Sequence, residues 1–286
     1  MLPEYYVLSL SGGKDSTALG LEWLKRHQLN PATYPLNEVI FCDVGMDFPA
    51  MIDHVARLEQ IFTNAGIKFT RLEGEHSFEW FMFEWTPKRG HRNPKLNGLI
   101  GRSWPTPKAR WCTAWLKSEV IDHYLKKLKS SYHVIQLIGL AADEVKRLEK
   151  KNNQNPDHRH PLIEWGWSEA DCLAYCYSKG FDWGGLYKIF HRVFCWCCPL
   201  QSLDELRKLR KHFPDLWLKL LDMEHRTWGT FNSRFTVDQL EIRFQLEEER
   251  VEKGLSINGH DKEFRAALKA RLEKEIGSAQ RPLTAP

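Results

Sequence analysis

The stretch Ser9-Leu10-Ser11-Gly12-Gly13-Lys14-Asp15-Ser16-Thr17 decides the fold of this chain. It follows an apolar run, Tyr5 to Leu10, that predicts a strand, and it precedes an apolar helical pattern from Ala18 to Leu24. A strand, a glycine pair and a helix start in this order are typical of phosphate-binding loops, because backbone N–H groups and the helix end attract anions. The hydroxyl groups of the stretch and the Lys14 cation add donors. A plain Gly-Gly turn with a serine cap is the alternative.

Two widespread phosphate motifs are absent from the stretch. A P-loop requires Ser or Thr after its Gly-Lys pair, whereas Asp15 follows Lys14, and there is no G-x-G-x-x-G. Ser11 to Ser16 instead resembles the SGGxDS loop of the ATP pyrophosphatases and of the phosphoadenosine phosphosulfate (PAPS) reductase family. The resemblance implies an ATP site with Mg²⁺, in which Lys14 and Asp15 act in catalysis and the loop residues bind phosphate: Ser9, Ser11, Gly12, Gly13, Lys14, Asp15, Ser16 and Thr17.

Composition restricts the class of protein. A chain of 286 residues with 42% hydrophobic residues can form one large domain, or a core with a smaller domain beside it. The net charge of +4 permits a nucleic-acid partner without demanding one. No apolar run approaches the roughly 18 residues of a membrane span, and no secretory signal precedes the first strand, so we expect a cytoplasmic protein. Its seven cysteines then suit metal binding, catalysis or burial better than disulfides.

Strands and helices alternate in the first part of the chain, which predicts an α/β fold with a parallel five-stranded sheet flanked by helices. The resemblance implies the adenine nucleotide alpha-hydrolase-like form of this fold. We expect strands at Tyr5–Leu10, Glu38–Cys42, Lys68–Leu72, His133–Gly139 and Pro161–Ile163. We expect helices at Ser16–His27, after Pro49 (with Met51, Val55, Leu58 and Phe62 on one face), at Thr113–Lys129, and after Ser168, whose capping box is completed by Asp171.

The remainder of the chain predicts a helical carboxyl-terminal region. Its expected helices are Leu203–His212, Pro214–Arg226, Val237–Lys253 and Asp261–Ile276. We therefore divide the chain into a nucleotide-binding domain with a cysteine metal site (1–199), a helical region (200–276) and a disordered tail (277–286). The charged stretch Glu144 to His160 predicts a loop or a frayed helix.

An aromatic segment followed by a basic loop interrupts the alternation. The basic residues are Lys88, Arg89, His91, Arg92, Lys95 and Arg102. Aromatic and basic residues together suit phosphates and bases, so the loop is a candidate lid or nucleic-acid contact. A surface loop pinned by its aromatic residues is an equally good interpretation.

Three further segments resemble the PAPS reductase family. Asp43-Val44-Gly45 ends the second strand, where the family has an Asp-Thr-Gly-like turn. Arg110 to Lys117 matches R-x-C-T-x-x-L-K, and Gly139 to Glu144 matches G-x-R-x-x-E except that Ala141 replaces the arginine. The resemblance implies nucleotide-binding roles for Asp43, Gly45, Arg110, Lys117, Gly139 and Glu144. The missing arginine weakens the case for PAPS itself as substrate, unless Lys146 or Arg147 supplies the anion contact.

Cys195-Trp196-Cys197-Cys198-Pro199 is the strongest metal motif of the sequence. In the family branch that has both R-x-C-T and C-x-x-C-P, the cysteines are associated with an iron–sulfur cluster. The resemblance therefore implies the ligands Cys112, Cys195 and Cys198, with Cys197, His191, His160 or an open position as the fourth. Thiolates also suit Zn²⁺, so the metal stays open. Cys42, Cys172 and Cys176 are expected in the core.

The resemblance implies an ATP pyrophosphatase that adenylates its substrate for sulfur transfer, with Cys195 and Cys198 in the chemistry. Similarity to the sulfurtransferases of DNA phosphorothioation makes a nucleic acid the expected acceptor and a cysteine desulfurase the expected sulfur donor. Reduction of PAPS or adenosine phosphosulfate is the alternative, although no cysteine follows Cys198 to serve as the attacking thiol. A non-catalytic module that senses nucleotide or binds nucleic acid is a third possibility.

Overall fold

The computed structural model describes residues 2–87, 94–149, 155–232 and 234–276. Within these ranges the strands and α-helical segments run in this order: β1 (Glu4–Leu10), α1 (Lys14–Leu29), β2 (Glu38–Asp43), α2 (Pro49–Asn64), β3 (Lys68–Glu73), α3 (Phe78–Phe83), α4 (Trp111–Thr113), α5 (Glu119–Leu128), β4 (His133–Ile138), β5 (His158–Arg159), α6 (Pro161–Glu164), α7 (Glu169–Ser178), α8 (Leu186–Ile189), α9 (Leu203–His212), α10 (Pro214–His225), α11 (Val237–Glu252) and α12 (Lys262–Ile276).

The five strands form one parallel sheet in the order β3-β2-β1-β4-β5. Strand β1 is central because the chain first builds outward through β2 to β3 and then returns to the other side of β1 with β4. In β2 the five residues from Glu38 to Cys42 are all buried, as expected for a strand covered by helices on both faces. The order reverses between β1 and β4, and ligands of open parallel sheets bind outside the carboxyl ends of strands at such a point.

The predicted α/β fold with a parallel five-stranded sheet is confirmed, and its first four strands lie where the sequence placed them. The apolar face of α2 is also confirmed, because Met51, Val55, Leu58 and Phe62 are all buried. At the amino end of α7, the Ser168 hydroxyl accepts a hydrogen bond from the N–H of Asp171, and the Asp171 carboxylate accepts one from the N–H of Ser168. The predicted capping box is thus present.

The fifth strand was predicted in the wrong place. It consists of His158 and Arg159, whereas Pro161–Glu164 forms the short helix α6. Pro161 has no N–H to donate to a sheet and its fixed φ suits the first position of a helix, where it lies. The N–H of Ile163 donates to the carbonyl of His160 at 3.1 Å, which closes the first turn of that helix.

Two other elements differ from the expected ones. The helix predicted from Thr113 starts at Trp111 and passes through a π-helical turn, Ala114–Ser118, before α5. The charged stretch after Asp143 belongs in part to a 3-10 helix, Ala142–Glu149, and residues 150–154 lie outside the described ranges.

Contacts divide the chain into two compact units. The first consists of residues 1–77 and 111–195, and the second of residues 78–110 and 196–286. The first unit contains the sheet. In the second, the four carboxyl-terminal helices lie within one residue of their predicted bounds. The predicted disordered tail, 277–286, lies outside the described residues, and the boundary predicted at residue 199 stays a prediction.

The second unit has a core of its own. Phe231 and Val237 are buried there, and their N–H groups both donate to the fully buried carboxylate of Glu224. Arg207 and Arg243 both donate to the buried Glu247 carboxylate, which ties α9 to α11. Buried charges paired in this way are costly to disrupt, since removing one partner leaves the other unsatisfied.

Candidate functional site: the phosphate loop and its surroundings

The turn between β1 and α1 has the backbone of an anion-binding loop. Gly12 has a φ of +77°, a conformation that side-chain-bearing residues rarely adopt. A Cβ at this position would also lie 2.8 Å from the sulfur of Met51 on α2. Helix α1 begins at Lys14, two residues earlier than predicted, and no side chain in the described part of the chain caps its amino end. The turn therefore requires glycine, and it leads directly into a helix amino terminus.

Hydroxyl groups within the loop bond to one another. The Ser16 hydroxyl lies 2.9 Å from the Ser11 hydroxyl, accepts the Ser11 N–H at 3.1 Å and lies 3.1 Å from the Gly13 carbonyl, to which it donates. These contacts hold the loop in a compact form. Rearrangement of the hydroxyl protons would be needed for both serines to donate to a ligand.

The end of β4 packs directly against the start of α1. A Cβ on Gly139 would lie 2.8 Å from both the N and the Cα of Ser16. Glycine at position 139 thus allows the backbone of the residue after β4 to approach the loop. This steric role accounts for the glycine, and the predicted contact of Gly139 with a nucleotide stays a prediction.

Lys14 lies between two carboxylates. Its ammonium contacts Glu169 at the first position of α7, and lies 3.5 Å from an oxygen of Asp15. Burial opposes a charged lysine, but the hydrogen bond to Glu169 and the charge of Asp15 raise the pKa of Lys14 above its ordinary value. Burial raises the pKa of Asp15 to about 6. The positive charge of Lys14 opposes this rise, and the negative charges of Glu169 and Glu144 add to it. Among the described residues, the buried Oδ1 atom of Asp15 has no hydrogen-bond partner.

A segment late in the first unit is attached to the loop from outside. The indole N–H of Trp183 donates to the Gly12 carbonyl at 2.8 Å, and the Tyr187 hydroxyl accepts the Lys14 N–H at 3.0 Å. The two rings contact each other edge to face, with centroids 4.7 Å apart. Neither residue was predicted to touch the loop.

A buried histidine supports the same loop from α2. The ring of His54 lies 2.9 Å from the Thr17 hydroxyl and stacks on Trp183 at 4.6 Å. Burial, with a smaller contribution from Arg57, lowers the pKa of His54 to about 4. The imidazole is therefore neutral near pH 7, and its role is to pack and to hold Thr17.

The turn after β2 lies at the carboxyl edge of the sheet, next to β1. The Asp43 carboxylate accepts the N–H of Gly45 at 2.7 Å, and Gly45 has a φ of +76°. Burial raises the pKa of nearby Asp47, a rise that Lys117 opposes and Asp43 increases. Asp43 and Lys117 therefore act on Asp47 with opposite effects. The predicted nucleotide contacts of Asp43, Gly45 and Lys117 stay predictions.

The segment after β4 lacks an available arginine at the expected place. Ala141 is fully buried, and Arg147 donates two hydrogen bonds of 2.8 Å to Glu144. The guanidinium that we considered as a substitute anion contact is thus paired with the carboxylate that matches the family motif. Arg110, at the end of the segment 78–110, is exposed on the second unit.

The seven cysteines fall into two groups, the three that we expect in the core and the four in the segments predicted to hold a metal. Cys42, Cys172 and Cys176 are buried, as predicted, and burial raises the pKa of Cys42 to about 11 and of Cys176 to about 12. The predicted ligands Cys112, Cys195 and Cys198 are only partly buried, while Cys197 is buried. Within the described residues, no three His, Cys, Asp or Glu side chains are gathered so as to hold a metal ion. Thiolate donors suit an iron–sulfur cluster or Zn²⁺ chemically, and the ligand set stays a prediction.

Most of the predicted basic loop lies outside the described residues. Its residues Lys88, Arg89, His91 and Arg92 lie outside the described ranges, and the side chain of Lys95 is not described either. Arg102 stacks on Trp85 at 4.7 Å within the second unit, and burial lowers the pKa of its guanidinium. Among the described helices, none is both long and apolar enough to cross a membrane.

Comparison with known proteins identifies the family. The model of the phosphoadenosine phosphosulfate reductase domain matches residues 5–201, and the chain belongs to this family. It is 26% identical over 219 residues to the uncharacterized protein MJ0066 of Methanocaldococcus jannaschii, covering 74% of this chain and 40% of the relative. It is 27% identical over 223 residues to the uncharacterized protein MJ0973 of the same organism, covering 76% and 47%. The chain thus spans less than half the length of these relatives.

Solved structures are also similar to this chain, and we report one of them. It is the U34-tRNA thiolase NcsA from Methanococcus maripaludis with its [4Fe-4S] cluster, at 15% identity and a TM-score of 0.34. The match covers 96% of this chain and 81% of the thiolase. A TM-score this low supports no argument about fold or function, and the family assignment rests on the matched domain.

Proposed function

We propose that the chain is an ATP-dependent sulfurtransferase of the PAPS reductase family that activates its substrate by adenylation. One observation carries the proposal. The SGGKDS loop lies at the carboxyl end of the central strand β1, between β1 and the start of α1, where the strand order of the sheet reverses. Backbone N–H groups of a glycine turn and a helix amino terminus together favour a polyphosphate at this place.

In the proposed reaction an oxygen of the acceptor attacks the α-phosphorus of ATP. The bond between the α-phosphorus and the bridging oxygen breaks, and pyrophosphate leaves. The loop N–H groups and hydroxyls hold the pyrophosphate, and the Lys14 ammonium stabilises the charge that develops on it. Asp15 has a buried oxygen that no described residue contacts by a hydrogen bond, and it is the candidate ligand for the Mg²⁺ that accompanies ATP.

The second step replaces oxygen with sulfur. A sulfur nucleophile attacks the adenylated atom of the acceptor, and AMP leaves with the oxygen that was activated. We propose a cysteine desulfurase as the source of sulfur, which arrives as a persulfide on a cysteine of this chain. The outer sulfur of the persulfide attacks the acceptor and forms a disulfide with it; a second thiol then attacks the cysteine sulfur of that disulfide, which releases the thiolated acceptor and leaves a protein disulfide that an external thiol reduces. An iron–sulfur cluster held by Cys112, Cys195 and Cys198, with Cys197 or a histidine as a further ligand, would supply a place to bind that sulfur; Zn²⁺ on the same thiolates would be structural.

A nucleic acid is the proposed acceptor, with DNA phosphorothioation as the particular case. The net charge of +4 and the basic loop between Lys88 and Arg102 support a polyanionic partner. Phosphate oxygens of a backbone are also acceptors of the kind that adenylation activates. DNA, tRNA and a small metabolite are distinguished by supplying each in turn to the assay below.

The decisive test is pyrophosphate release from ATP under anaerobic conditions, with Mg²⁺ and with DNA or tRNA present. We expect release that depends on the nucleic acid and is lost in Asp15→Ala. Asp122→Asn, which changes an exposed carboxylate on α5, is the matched control and should keep full activity. Binding of ATP without turnover in the unmodified protein would favour the non-catalytic nucleotide sensor instead.

The cysteine group is tested separately on protein purified without oxygen. We expect a broad absorbance band near about 400 nm, with iron and sulfide by analysis, that disappears in Cys195→Ala. Cys172→Ala removes a buried core cysteine and should leave the band unchanged. A colourless protein with zinc would make the group structural and remove the cluster from the mechanism.

Reduction of PAPS or adenosine phosphosulfate remains the second candidate, because the matched family model is that of the PAPS reductase domain. It predicts release of sulfite from the sulfonucleotide, driven by thioredoxin. Among the cysteines of this sequence, a thiol of the Cys195–Cys198 group is the candidate to attack the sulfur. Sulfite release without any need for ATP would favour this reaction over adenylation.

A further inference from the structure

The anion-binding groups at the start of α1 already have partners within the protein. The Lys14 ammonium, the one side-chain cation of the loop, contacts the carboxylate of Glu169. The Lys14 N–H, at the first position of α1, donates to the Tyr187 hydroxyl. A carboxylate offers the same kind of oxygen acceptors as a phosphate. The Glu169 carboxylate therefore contacts the Lys14 ammonium as the oxygens of a bound phosphate would.

The position of Glu169 is fixed by contacts other than this ion pair. Its N–H donates to the carboxylate of Asp143 at 3.1 Å. Farther along α7, Tyr175 donates to Glu22 at 3.0 Å and the Cys176 thiol donates to the Lys14 carbonyl at 3.5 Å, so α7 is attached to α1 at two more points. Packing of the two helices therefore places a carboxylate on the loop lysine, whether or not the pair itself is favourable.

The electrostatics of this arrangement oppose a phosphate. Asp15 and Glu169 place two carboxylates beside one ammonium, and their mutual repulsion contributes to the raised pKa of Asp15. A phosphate that reaches Lys14 has to displace the Glu169 carboxylate or share the ammonium with it. The side chain of Glu169 is 28% exposed and that of Lys14 is 10% exposed, so the carboxylate has room to turn toward solvent.

We infer that Glu169 is an internal competitor for phosphate: it occupies Lys14 in the nucleotide-free protein and is displaced when a phosphate group binds. The inference rests on the proposed function of the loop. It assigns Glu169 a part in setting affinity, because each binding event exchanges a carboxylate for a phosphate on the same ammonium. Weak binding of free phosphates and ready release of the product pyrophosphate follow from this exchange.

The test is titration of inorganic pyrophosphate into the full chain by calorimetry, without Mg²⁺ so that no metal masks the charge. Glu169→Gln keeps the length of the side chain and an oxygen that accepts from Lys14, but it removes the charge. We expect pyrophosphate to bind about tenfold more tightly to this variant, the effect of removing one like charge at contact distance in a partly solvated site. Glu59→Gln, which breaks the pair between Glu59 of α2 and Arg71 of β3, is the control and should bind as the unmodified chain does.

The outcomes separate this inference from the proposed function. Equal or weaker binding to Glu169→Gln, with clear binding to the unmodified chain, overturns the competition while leaving the ATP site intact. A lack of pyrophosphate binding to both proteins overturns both. Binding that appears only in Glu169→Gln supports the competition strongly.

A measurement on the unmodified chain covers the case in which Glu169→Gln does not fold. Carboxyl groups are labelled with a carbodiimide and an amine, and the Glu169 peptide is quantified by mass spectrometry with and without pyrophosphate. Displacement from Lys14 predicts labelling of Glu169 that rises several-fold with pyrophosphate, while labelling of Glu59 stays constant. Unchanged or reduced labelling of Glu169 in the presence of bound pyrophosphate overturns the inference.

Discussion

Substitution of Gly139 by alanine tests the packing of the loop most directly. The added Cβ would lie 2.8 Å from the N and the Cα of Ser16, both of which are backbone atoms that no side-chain rotation can move away. Ordinary contact begins at 3.4 Å, so the end of β4 or the first turn of α1 must shift by about 0.6 Å. Overpacking of this kind costs about 1–3 kcal/mol, which we expect to lower the melting temperature by about 5 °C.

The same shift has a functional consequence. The first turn of α1 includes Ser16, so its displacement misplaces the hydroxyl and N–H groups proposed to hold pyrophosphate. We expect ATP affinity of Gly139→Ala to fall at least about tenfold, since sub-ångström errors in a preorganised site are costly. Scanning calorimetry and equilibrium binding measure the two effects.

Gly259→Ala is the matched control for this substitution. A Cβ there would meet its nearest neighbour, a terminal nitrogen of Arg243, at an ordinary 3.5 Å. It should change neither melting temperature nor ATP affinity. A Gly139→Ala protein with unchanged melting temperature and unchanged ATP affinity would refute the argument that the backbone of Gly139 must touch the loop.

Three further predictions concern groups that stabilise the interior of one unit, either the first (His54 and Trp183) or the second (Glu224). His54 has a pKa of about 4 in the folded protein and an ordinary pKa of 6.5, so between these values the unfolded chain binds a proton that the folded protein does not. The free energy of unfolding therefore falls by about 3 kcal/mol as the pH drops from about 6.5 to 4. Urea denaturation across this pH range should show the loss, and His54→Gln should make the free energy of unfolding less dependent on pH. Trp183→Phe removes the donor to the Gly12 carbonyl and should cost about 1–2 kcal/mol in urea, with weaker ATP binding, whereas unchanged stability would show that water replaces the indole. Glu224→Gln removes a buried charge that accepts two backbone N–H groups and should cost about 2–4 kcal/mol, while Glu252→Gln on the surface should cost nothing measurable.

The fold was readable from local sequence because its signals are local. Alternating apolar strands and helices, the Gly-Gly turn and the capping residue Ser168 each act within a few positions of the chain. The one misplaced strand shows the limit of apolarity as evidence. Leu162 and Ile163 look like a strand, but Pro161 has no N–H for a ladder and instead begins a helix.

The surroundings of the loop were less predictable for a physical reason. Its partners Glu169, Trp183 and Tyr187 lie 155, 171 and 173 residues from the atoms they contact, and no local pattern marks them. Glu169 in particular looks like an ordinary acidic residue in the first turn of a helix, where it favours the helix dipole. Only the tertiary structure reveals that it contacts Lys14.

The central place of β1 in the sheet has a consequence for the order of folding during synthesis. β1 and the loop leave the ribosome well before β4, which completes the pairing of β1 and starts at His133, and Trp183 and Tyr187 follow later still. The glycine turn therefore emerges well before the residues that hold it, and pairing of β1 with β4 requires closure of a long chain loop. We expect β1 to keep an unpaired edge until β4 emerges, and the incomplete sheet is accessible to chaperones during this interval. We expect the loop to bind ATP only after Trp183 and Tyr187 have also emerged.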